Sequence, residues 1–285
     1  MFGVMGMGGA FMQAAGAHKG EPKPEFSGIK LFTLTTDPKI SSITGTDIVV
    51  KTTKGGVVHE DTYASLEGDT LSISADKNTE ITITGTIIEC EIGSNTTFTR
   101  ISVTSTALTS LDCSSCYALQ ELNFSTNTAL TSLSCNDCYA LQELNLSTNT
   151  ALTSLSCNGC YALQKLNLST NTALTSLSCF SCYALQELNL STNTALTSLS
   201  CNNCSALQEL NLSTNTALTQ LNCSSCTKLV SISYPATNED VATAIAGAIT
   251  DATAADGTVY TDSAADYYST IADAATAKGW TIEQL

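Results

Sequence analysis

A 22-residue unit recurs six times, nearly unchanged, across residues 108–234. One copy, residues 130–151, reads LTSLSCNDCYALQELNLSTNTA. Self-similarity at a fixed period of this size marks a solenoid, because one unit cannot bury its apolar positions alone and must stack on the next. Each unit splits into two 11-residue halves. One is L-x-x-L-x-C-x-x-C (Leu130, Leu133, Cys135, Cys138), the other L-x-x-L-x-L-x-x-N (Leu141, Leu144, Leu146, Asn149). Solenoids present long, regular surfaces and seldom build the converging pockets that catalysis needs.

Charge narrows the partners. The 285 residues hold 11 Lys and Arg against 26 Asp and Glu, a net charge of −15. Nucleic acid and anionic membrane both call for a basic footprint, which this chain lacks. Arg100 is the only arginine, which argues against a site that reads phosphate. No run approaches the ~20 apolar residues of a spanning helix.

Residues 1–26 form an apolar arm followed by a Pro/Lys hinge. Phe2, Val4, Met5, Phe11 and Met12 stand among glycines and alanines, and His18 to Phe26 contains Pro22 and Pro24. Ala15-Gly16-Ala17 looks like a small-residue cleavage site, but the basic n-region of a secretory signal is missing. Two readings follow, an arm that packs against a partner in an assembly or a remnant of a signal. The sequence thus offers no convincing signal peptide, and the expected location is extracellular or a virion surface.

Residues 27–107 read as a β-rich N-terminal domain or cap. Runs such as Ile29 to Leu34, Asp47 to Val50, Leu71 to Ser74 and Glu80 to Thr84 alternate or are β-branched. Turn signals separate them at Lys54-Gly55-Gly56, Gly68-Asp69 and Asp76-Lys77-Asn78. The repeat grammar already shows, in degenerate form, at Ile87, Cys90, Ile92, Asn95 and at Phe98, Ile101, Val103, Thr106. Residues 108–235 are the solenoid, and residues 236–285 read as a small α/β cap. In the cap Asn238 is the expected N-cap of a helix over 241–252, with Glu239 and Asp240 in its first turn. A strand over 257–261, a helix capped by Asp262 or Ser263 and stopped at Gly279, and a strand over 280–282 complete it.

Within the solenoid every position stacks on its equivalent ~4.8 Å away, so the sequence is read in columns. Leu111, Leu133, Leu155, Leu177, Leu199 and Leu221 form one inward column. The column from Leu122 to Leu210 faces it, which predicts two parallel ladders across a narrow apolar core. Asn127, Asn149, Asn171, Asn193 and Asn215 are placed to pair turn backbone. Glu121, Glu143, Lys165, Glu187 and Glu209 belong on a solvated face, with Lys165 able to pair with both Glu143 and Glu187; a ligand-binding carboxylate row is the other reading. Tyr117, Tyr139, Tyr161 and Tyr183 form an aromatic column that ends at Ser205 and Thr227. Such a column stabilises a turn by stacking, and exposed tyrosines also suit protein or glycan contacts. The freely varying positions lie between the paired cysteines: Ser114-Ser115, Asn136-Asp137, Asn158-Gly159, Phe180-Ser181, Asn202-Asn203 and Ser224-Ser225. Tolerance at a turn explains them, and so does a diversified contact strip. Tyr117, Tyr139, Tyr161, Tyr183, Asn136, Asp137, Asn158, Phe180, Asn202 and Asn203 are therefore the candidate binding strip.

Thirteen cysteines comprise Cys90 and six C-x-x-C pairs, Cys113/Cys116 through Cys223/Cys226. Isolated C-x-x-C would suggest zinc or redox chemistry. Here the repeat itself sets the spacing, since the first cysteine replaces an inward Leu and the second replaces the turn asparagine. The readings are structural thiols, a thiophilic metal site, or disulfides between coils. So many thiols suit a reducing or anaerobic setting. No metal ligand set and no cofactor is expected, because His18 and His59 both lie far upstream.

The two half-unit patterns resemble the core of leucine-rich repeats, in which Cys can occupy the Asn position. With STNTALTSL between the halves, the array is similar to leucine-rich repeat proteins of Bacteroidetes-type surfaces. The ending Thr276 to Ile282 resembles the tail of such proteins and of some phage virion proteins. The missing lipoprotein cysteine departs from the surface pattern. The resemblance implies a leucine-rich-repeat solenoid used for adhesion or protein recognition, with no catalytic residues. No G-x-S-x-G, H-E-x-x-H, P-loop or dinucleotide fingerprint occurs. The expected function is a non-enzymatic, surface-displayed scaffold for adhesion or protein/glycan recognition. It would belong to a larger assembly, as a virion decoration or a cell-surface filament, with its own copies or a capsid/surface anchor as partners. The alternative is a cysteine-array metal-binding or redox protein.

Overall fold

The computed structural model describes residues 28–33, 39–72, 80–92, 98–234, 238–261 and 267–285. The apolar arm, including Phe2, Val4, Met5, Phe11 and Met12, and the Asp76-Lys77-Asn78 turn lie outside them.

Each coil contributes two three-residue strands, and the strands stack in parallel into two walls. The Cys-half wall is built from Ser110–Asp112, Ser132–Ser134, Ser154–Ser156, Ser176–Ser178, Ser198–Ser200 and Gln220–Asn222. The Leu-half wall takes Glu121–Asn123, Glu143–Asn145, Lys165–Asn167, Glu187–Asn189, Glu209–Asn211 and Ser231–Ser233. Register follows the repeat, with Leu155 between Leu133 and Leu177 and Leu166 between Leu144 and Leu188. The strands are short because only their central Leu points inward before the chain bends. Leu133, Leu155, Leu177 and Leu199 are buried, as are Leu130, Leu141, Leu152 and Leu163 at the bends. Leu221, in the last Cys-half strand, is only partly covered. Each fully buried Leu is worth about 1.5–3 kcal/mol, an upper figure because the unfolded chain already hides some surface.

At the N-terminal end the walls merge. The strands there are β1 (Gly28–Thr33), β2 (Lys39–Lys54), β3 (Val57–Ser72), β4 (Glu80–Glu91) and β5 (Phe98–Val103). β4 continues the Cys-half wall with Cys90 opposite Leu111, and β5 continues the Leu-half wall with Ile101 opposite Leu122. β1 runs antiparallel between β4 and β5 and so bridges the ends of the two walls, while the Leu-half wall from Glu143–Asn145 onward is a sheet of its own. The degenerate repeats read from the sequence are therefore real coils, with Ile87, Cys90, Ile92, Phe98, Ile101 and Val103 buried in their columns. One register differs from the sequence reading. Ser105, not Thr106, fills the asparagine position: it is buried while Thr106 is exposed, and Asn127 Nδ2 donates to its carbonyl. The turn after Val103 is one residue shorter than its counterpart after Phe124, so the small serine hydroxyl, donating to Ile87 O at 2.9 Å, replaces the longer amide. Asn95 lies outside the described residues.

β2 and β3 form a hairpin across Gly55-Gly56, as the turn signal predicts, and β2 covers the outer edge of β4. Gly68-Asp69 is not a reversal. It sits inside β3 opposite a bulge at Ile43, with Gly68 at φ +79°, and the Asp69 carboxylate accepts from Glu67 N at 2.9 Å. Local turn chemistry is spent here on a bulge because both strands continue past it.

At the C-terminal end the Leu-half wall goes on through Thr258–Tyr260 and Thr281–Glu283, still parallel and in register. Helix α1 (Glu239–Asp251) packs on the last Cys-half strand and takes the place of a further Cys half. Asn238 caps it by accepting from Val241 N at 3.1 Å, and its Val241, Ile245 and Ile249 are buried. Helix α2 (Tyr268–Lys278) follows and ends at Gly279 in the left-handed region. Its first residue follows Tyr267, whose side chain makes no cap bond, so the expected Asp262 or Ser263 cap is displaced and both residues lie outside the described set.

Candidate recognition surface

The repeat stacks functional candidates into ladders, and the best ordered is aromatic. Tyr117, Tyr139, Tyr161 and Tyr183 follow the second cysteine of each pair and project from the corner after the Cys half. Their ring centroids are 4.8, 4.6 and 5.0 Å apart, close to the coil repeat. The first three rings are parallel within 3°, while Tyr183 tilts by 24° from Tyr161. All four remain exposed, Tyr183 the most at 48%. Flanking rings strip water from Tyr139 and the Asp137 carboxylate adds like charge, so this phenol holds its proton to higher pH than an ordinary tyrosine.

The residues between the cysteines divide into two kinds. The second position has positive φ in every coil: Ser115, Asp137, Gly159, Ser181, Asn203 and Ser225 lie between φ +57° and +67°. Ser, Asp, Gly and Asn at that position are thus selected in part by the left-handed turn, a constraint the column reading treated as freedom. Gly159 has a second reason, since a Cβ there would lie 2.5 Å from Asp137 Oδ1 in the coil before. The first position carries a polar ladder. Asn136 Oδ1 accepts from Ser156 Oγ at 2.7 Å and from Asn158 N at 2.9 Å. Asn158 Oδ1 does the same with Ser178 Oγ at 2.6 Å and Phe180 N at 3.1 Å. Asn136 and Asn158 are therefore committed to holding coils together. Phe180 breaks the ladder because it offers no acceptor, and its ring is 40% exposed. The exposed members of the strip are the tyrosines and Phe180, Asn202 is half-buried and accepts from Ser200 Oγ, and Asn136, Asp137, Asn158 and Asn203 serve mainly the turn.

The thirteen cysteines are buried free thiols. From the second pair onward, the second cysteine donates to the carbonyl of the first cysteine one coil back, Cys160 to Cys135 O and Cys204 to Cys179 O at 3.2 Å, Cys182 to Cys157 O at 3.1 Å. Hydrogen bonding to the next coil's cysteine, and then burial, push the thiols of Cys113, Cys135, Cys157, Cys179 and Cys201 well above the ordinary value. Burial does the same for Cys90 and Cys223. A metal ligand or redox nucleophile has to be thiolate, and the surroundings of these seven cysteines disfavour thiolate, whereas the hydrogen bond with Cys201 lowers Cys226. Among the described residues no group of three or more His, Cys, Asp or Glu is placed to hold a metal ion.

The opposite, Leu-half wall shows a surface the candidate strip left out. A shallow groove of about 580 Å³ is lined by Gln142, Glu143, Asn145, Gln164, Lys165 and Asn167. Another of about 620 Å³ repeats the motif with Gln186, Glu187, Asn189, Gln208, Glu209 and Asn211. Its signal in the sequence was the repeated Gln-Glu-Leu-Asn, in which the exposed residues flank one buried Leu. The charge column is paired to one side only: Lys165 meets Glu187 at 3.1 Å, Arg100 meets Glu121 at 2.7 Å, and Glu143 has no ion pair among the described residues. The expectation that Lys165 serves both neighbours is thereby corrected, since its single ammonium leans toward one carboxylate.

Paired parallel ladders, an asparagine ladder and a cysteine ladder on one 22-residue period decide the architecture. The fold is a leucine-rich-repeat solenoid with a small C-terminal α/β cap. No family model matches the chain, and no curated protein matches it. Two solved structures similar to it are from Listeria monocytogenes. The functional domain of InlJ, which includes a cysteine ladder, is 22% identical with a TM-score of 0.30, over 66% of this chain and 52% of that one. An internalin, InlF of strain 4b F2365, is 15% identical with a TM-score of 0.16, over 68% of this chain and 86% of that one. The leucine-rich-repeat chain thus spans about half the length of the InlJ domain. Among the described residues no helix is long and apolar enough to cross a membrane.

Proposed function

We propose that this leucine-rich-repeat chain is a non-catalytic, surface-displayed scaffold whose corner of stacked tyrosines, with Phe180 beside them, recognises a protein or glycan. The observation that carries this is the ladder itself. Four large aromatic side chains are held exposed at 4.6–5.0 Å spacing, already ordered before a partner arrives. Preordered tyrosine loses little conformational entropy on binding and offers both apolar area and a hydroxyl, which is why it dominates recognition hot spots. Display outside the cell or on a virion fits a rigid rod, with residues 1–26 as the arm that joins it to a larger assembly.

The test replaces Tyr117, Tyr139, Tyr161, Tyr183 and Phe180 together by Ser. Adhesion of protein-coated beads to bacterial cells and to glycoprotein-coated surfaces is then measured. Loss of adhesion with unchanged circular dichroism is the expected result, and undiminished adhesion by the folded variant overturns the reading. Deleting residues 1–26 should leave the solenoid folded and abolish co-assembly. Co-assembly that persists removes the arm from the proposal.

A further inference from the structure

The aromatic ladder is not uniform, and its end differs from its middle in a way that points to a ligand. Tyr139 and Tyr161 each have a neighbouring ring on both sides. They show solvent only their edges, so no ligand can lie flat on them. Tyr183 has Tyr161 on one side and, one coil on, Ser205 on the other. Ser205 puts a small side chain where the preceding coils carry a ring. With nothing stacked beyond it, Tyr183 tilts by 24° and is the most exposed of the four. The outer face of Tyr183 thus has no ring stacked on it and looks toward a small residue, and Phe180, three residues earlier in the same coil, is also exposed.

The side chains of the next coil at this step are polar and neutral, and the Asp251 carboxylate lies one coil further on, accepting from Ser225 N at 2.8 Å. Asn202, Asn203 and Ser205 come from the coil beyond it, all half-buried and so held in place. Asn202 uses Oδ1 to accept from Ser200 Oγ at 2.9 Å. Its Nδ2, the Asn203 amide and the Ser205 hydroxyl make no side-chain hydrogen bond among the described residues. Free amide and hydroxyl groups supply donors and acceptors together. Asp137, the acidic residue of the strip, lies two coils away on the other side of Gly159 and Phe180.

We infer that Tyr183 and Ser205 form a subsite for a neutral hexopyranose ring. The sugar would stack its C–H face on Tyr183, occupy the missing fifth position of the ladder, and place its hydroxyl rim against Asn202, Asn203 and Ser205. A pyranose has one apolar face and an uncharged polar rim, and this step offers one open ring face and an uncharged polar border. The inference rests on the tyrosine-strip reading above and narrows it to one end of the ladder.

The full chain is the sample, and ligand-observed saturation-transfer NMR is the measurement. Cellotetraose, maltotetraose, mannotetraose and chitotetraose are the probes. Saturation of the ring protons of at least one, with a Kd near ~1 mM as expected for a single exposed platform, is the predicted result. Ser205→Tyr restores the Cys-Tyr-Ala-Leu-Gln sequence of the preceding coils and closes the step, so it should fold and abolish the signal. Tyr183→Ala should weaken binding at least about tenfold, whereas Val230→Ala, at an exposed apolar residue of the Leu half outside the strip, should leave it within about twofold; this pair decides the matter if Ser205→Tyr does not fold. Absence of binding by all four sugars, or unchanged binding in Ser205→Tyr or Tyr183→Ala, overturns the inference. So does a Tyr- or Trp-containing tetrapeptide that binds at this step where the sugars do not. If adhesion survives Ser205→Tyr but is lost in the five-residue Ser variant, only the subsite fails. If adhesion survives in both, the strip reading fails with it.

Discussion

The two halves of each coil solve the same problem with different chemistry. Both must turn the chain after a three-residue strand and satisfy backbone carbonyls of the coil before. In the Leu half an asparagine does this twice over: Asn171 Nδ2 donates to Leu146 O at 3.1 Å and Asn149 O at 2.7 Å. Its Oδ1 finds no partner, and the same is true of Asn127, Asn149, Asn193 and Asn215. In the Cys half Cys160 donates one weak bond, 3.2 Å to Cys135 O, and carries no second polar atom to strand. The Leu half thus gains two amide bonds at the cost of a buried unmet acceptor, while the Cys half accepts one weaker bond and otherwise packs as an apolar residue. The backbones differ accordingly. Every Cys-half turn has a residue in the left-handed region, whereas the Leu-half turns have none and use Asn145-type side chains that accept from the residue two on, 3.1 Å to Ser147 N.

Alkaline pH should separate the halves most strongly. The folded thiols of Cys113, Cys135, Cys157, Cys179 and Cys201, the first of their pairs, have values raised above the ordinary 9.0, so below pH 9 both folded and unfolded chains keep these protons and stability does not change with pH on their account. Above 9 the unfolded chain releases protons that the folded core retains, and stability falls by about 1.4 kcal/mol per pH unit for each such thiol. Urea denaturation from pH 7 to 10.5 should show a plateau and then collapse near 10, and a level curve through pH 10.5 would show that the thiols are not buried as described.

Next in size come single substitutions at equivalent turns. Asn171→Ala removes two buried amide bonds and should cost about 2–3 kcal/mol. Cys160→Ala removes one weak bond and a sulfur atom's packing and should cost about 1–2 kcal/mol. Equal losses in urea midpoint, at unchanged slope, would break the distinction drawn between the two ladders. The smallest effect belongs to the charged column. Lys165→Ala breaks an ion pair whose partners are both 68% exposed, so the change should stay below ~1 kcal/mol and vanish in 1 M salt. A larger loss that salt does not erase would mean Lys165 packs on the groove wall rather than merely pairing.

Much of this was legible because a repeat turns one-dimensional spacing into three-dimensional columns. Once the period is known, Leu155 must lie between Leu133 and Leu177, and Tyr161 between Tyr139 and Tyr183, whatever the details of the coil. The α/β cap was legible for local reasons, Asn238 as an N-cap and Gly279 as a stop. The polar positions of the turns were less legible, because the same letters serve two purposes. Asp137 and Asn203 look like surface variation until their positive φ is known, and Asn136 and Asn158 look like a contact strip until their amides are seen bonding the next coil.

The sequence by itself determined the solenoid, its two ladders and the ordering of residues within each column, because stacking at a fixed period leaves no other neighbour for each side chain. Tertiary structure decided what happens where the period is broken. It placed Ser105 in the asparagine column through a turn one residue shorter, bridged the ends of the two walls with β1, and set α1 where a Cys half would have been. It also left Tyr183, which has Ser205 rather than a ring in the next coil, tilted and the most exposed of the four tyrosines. At such places neighbours are no longer copies of one another, so which atoms meet is settled by packing between unlike segments.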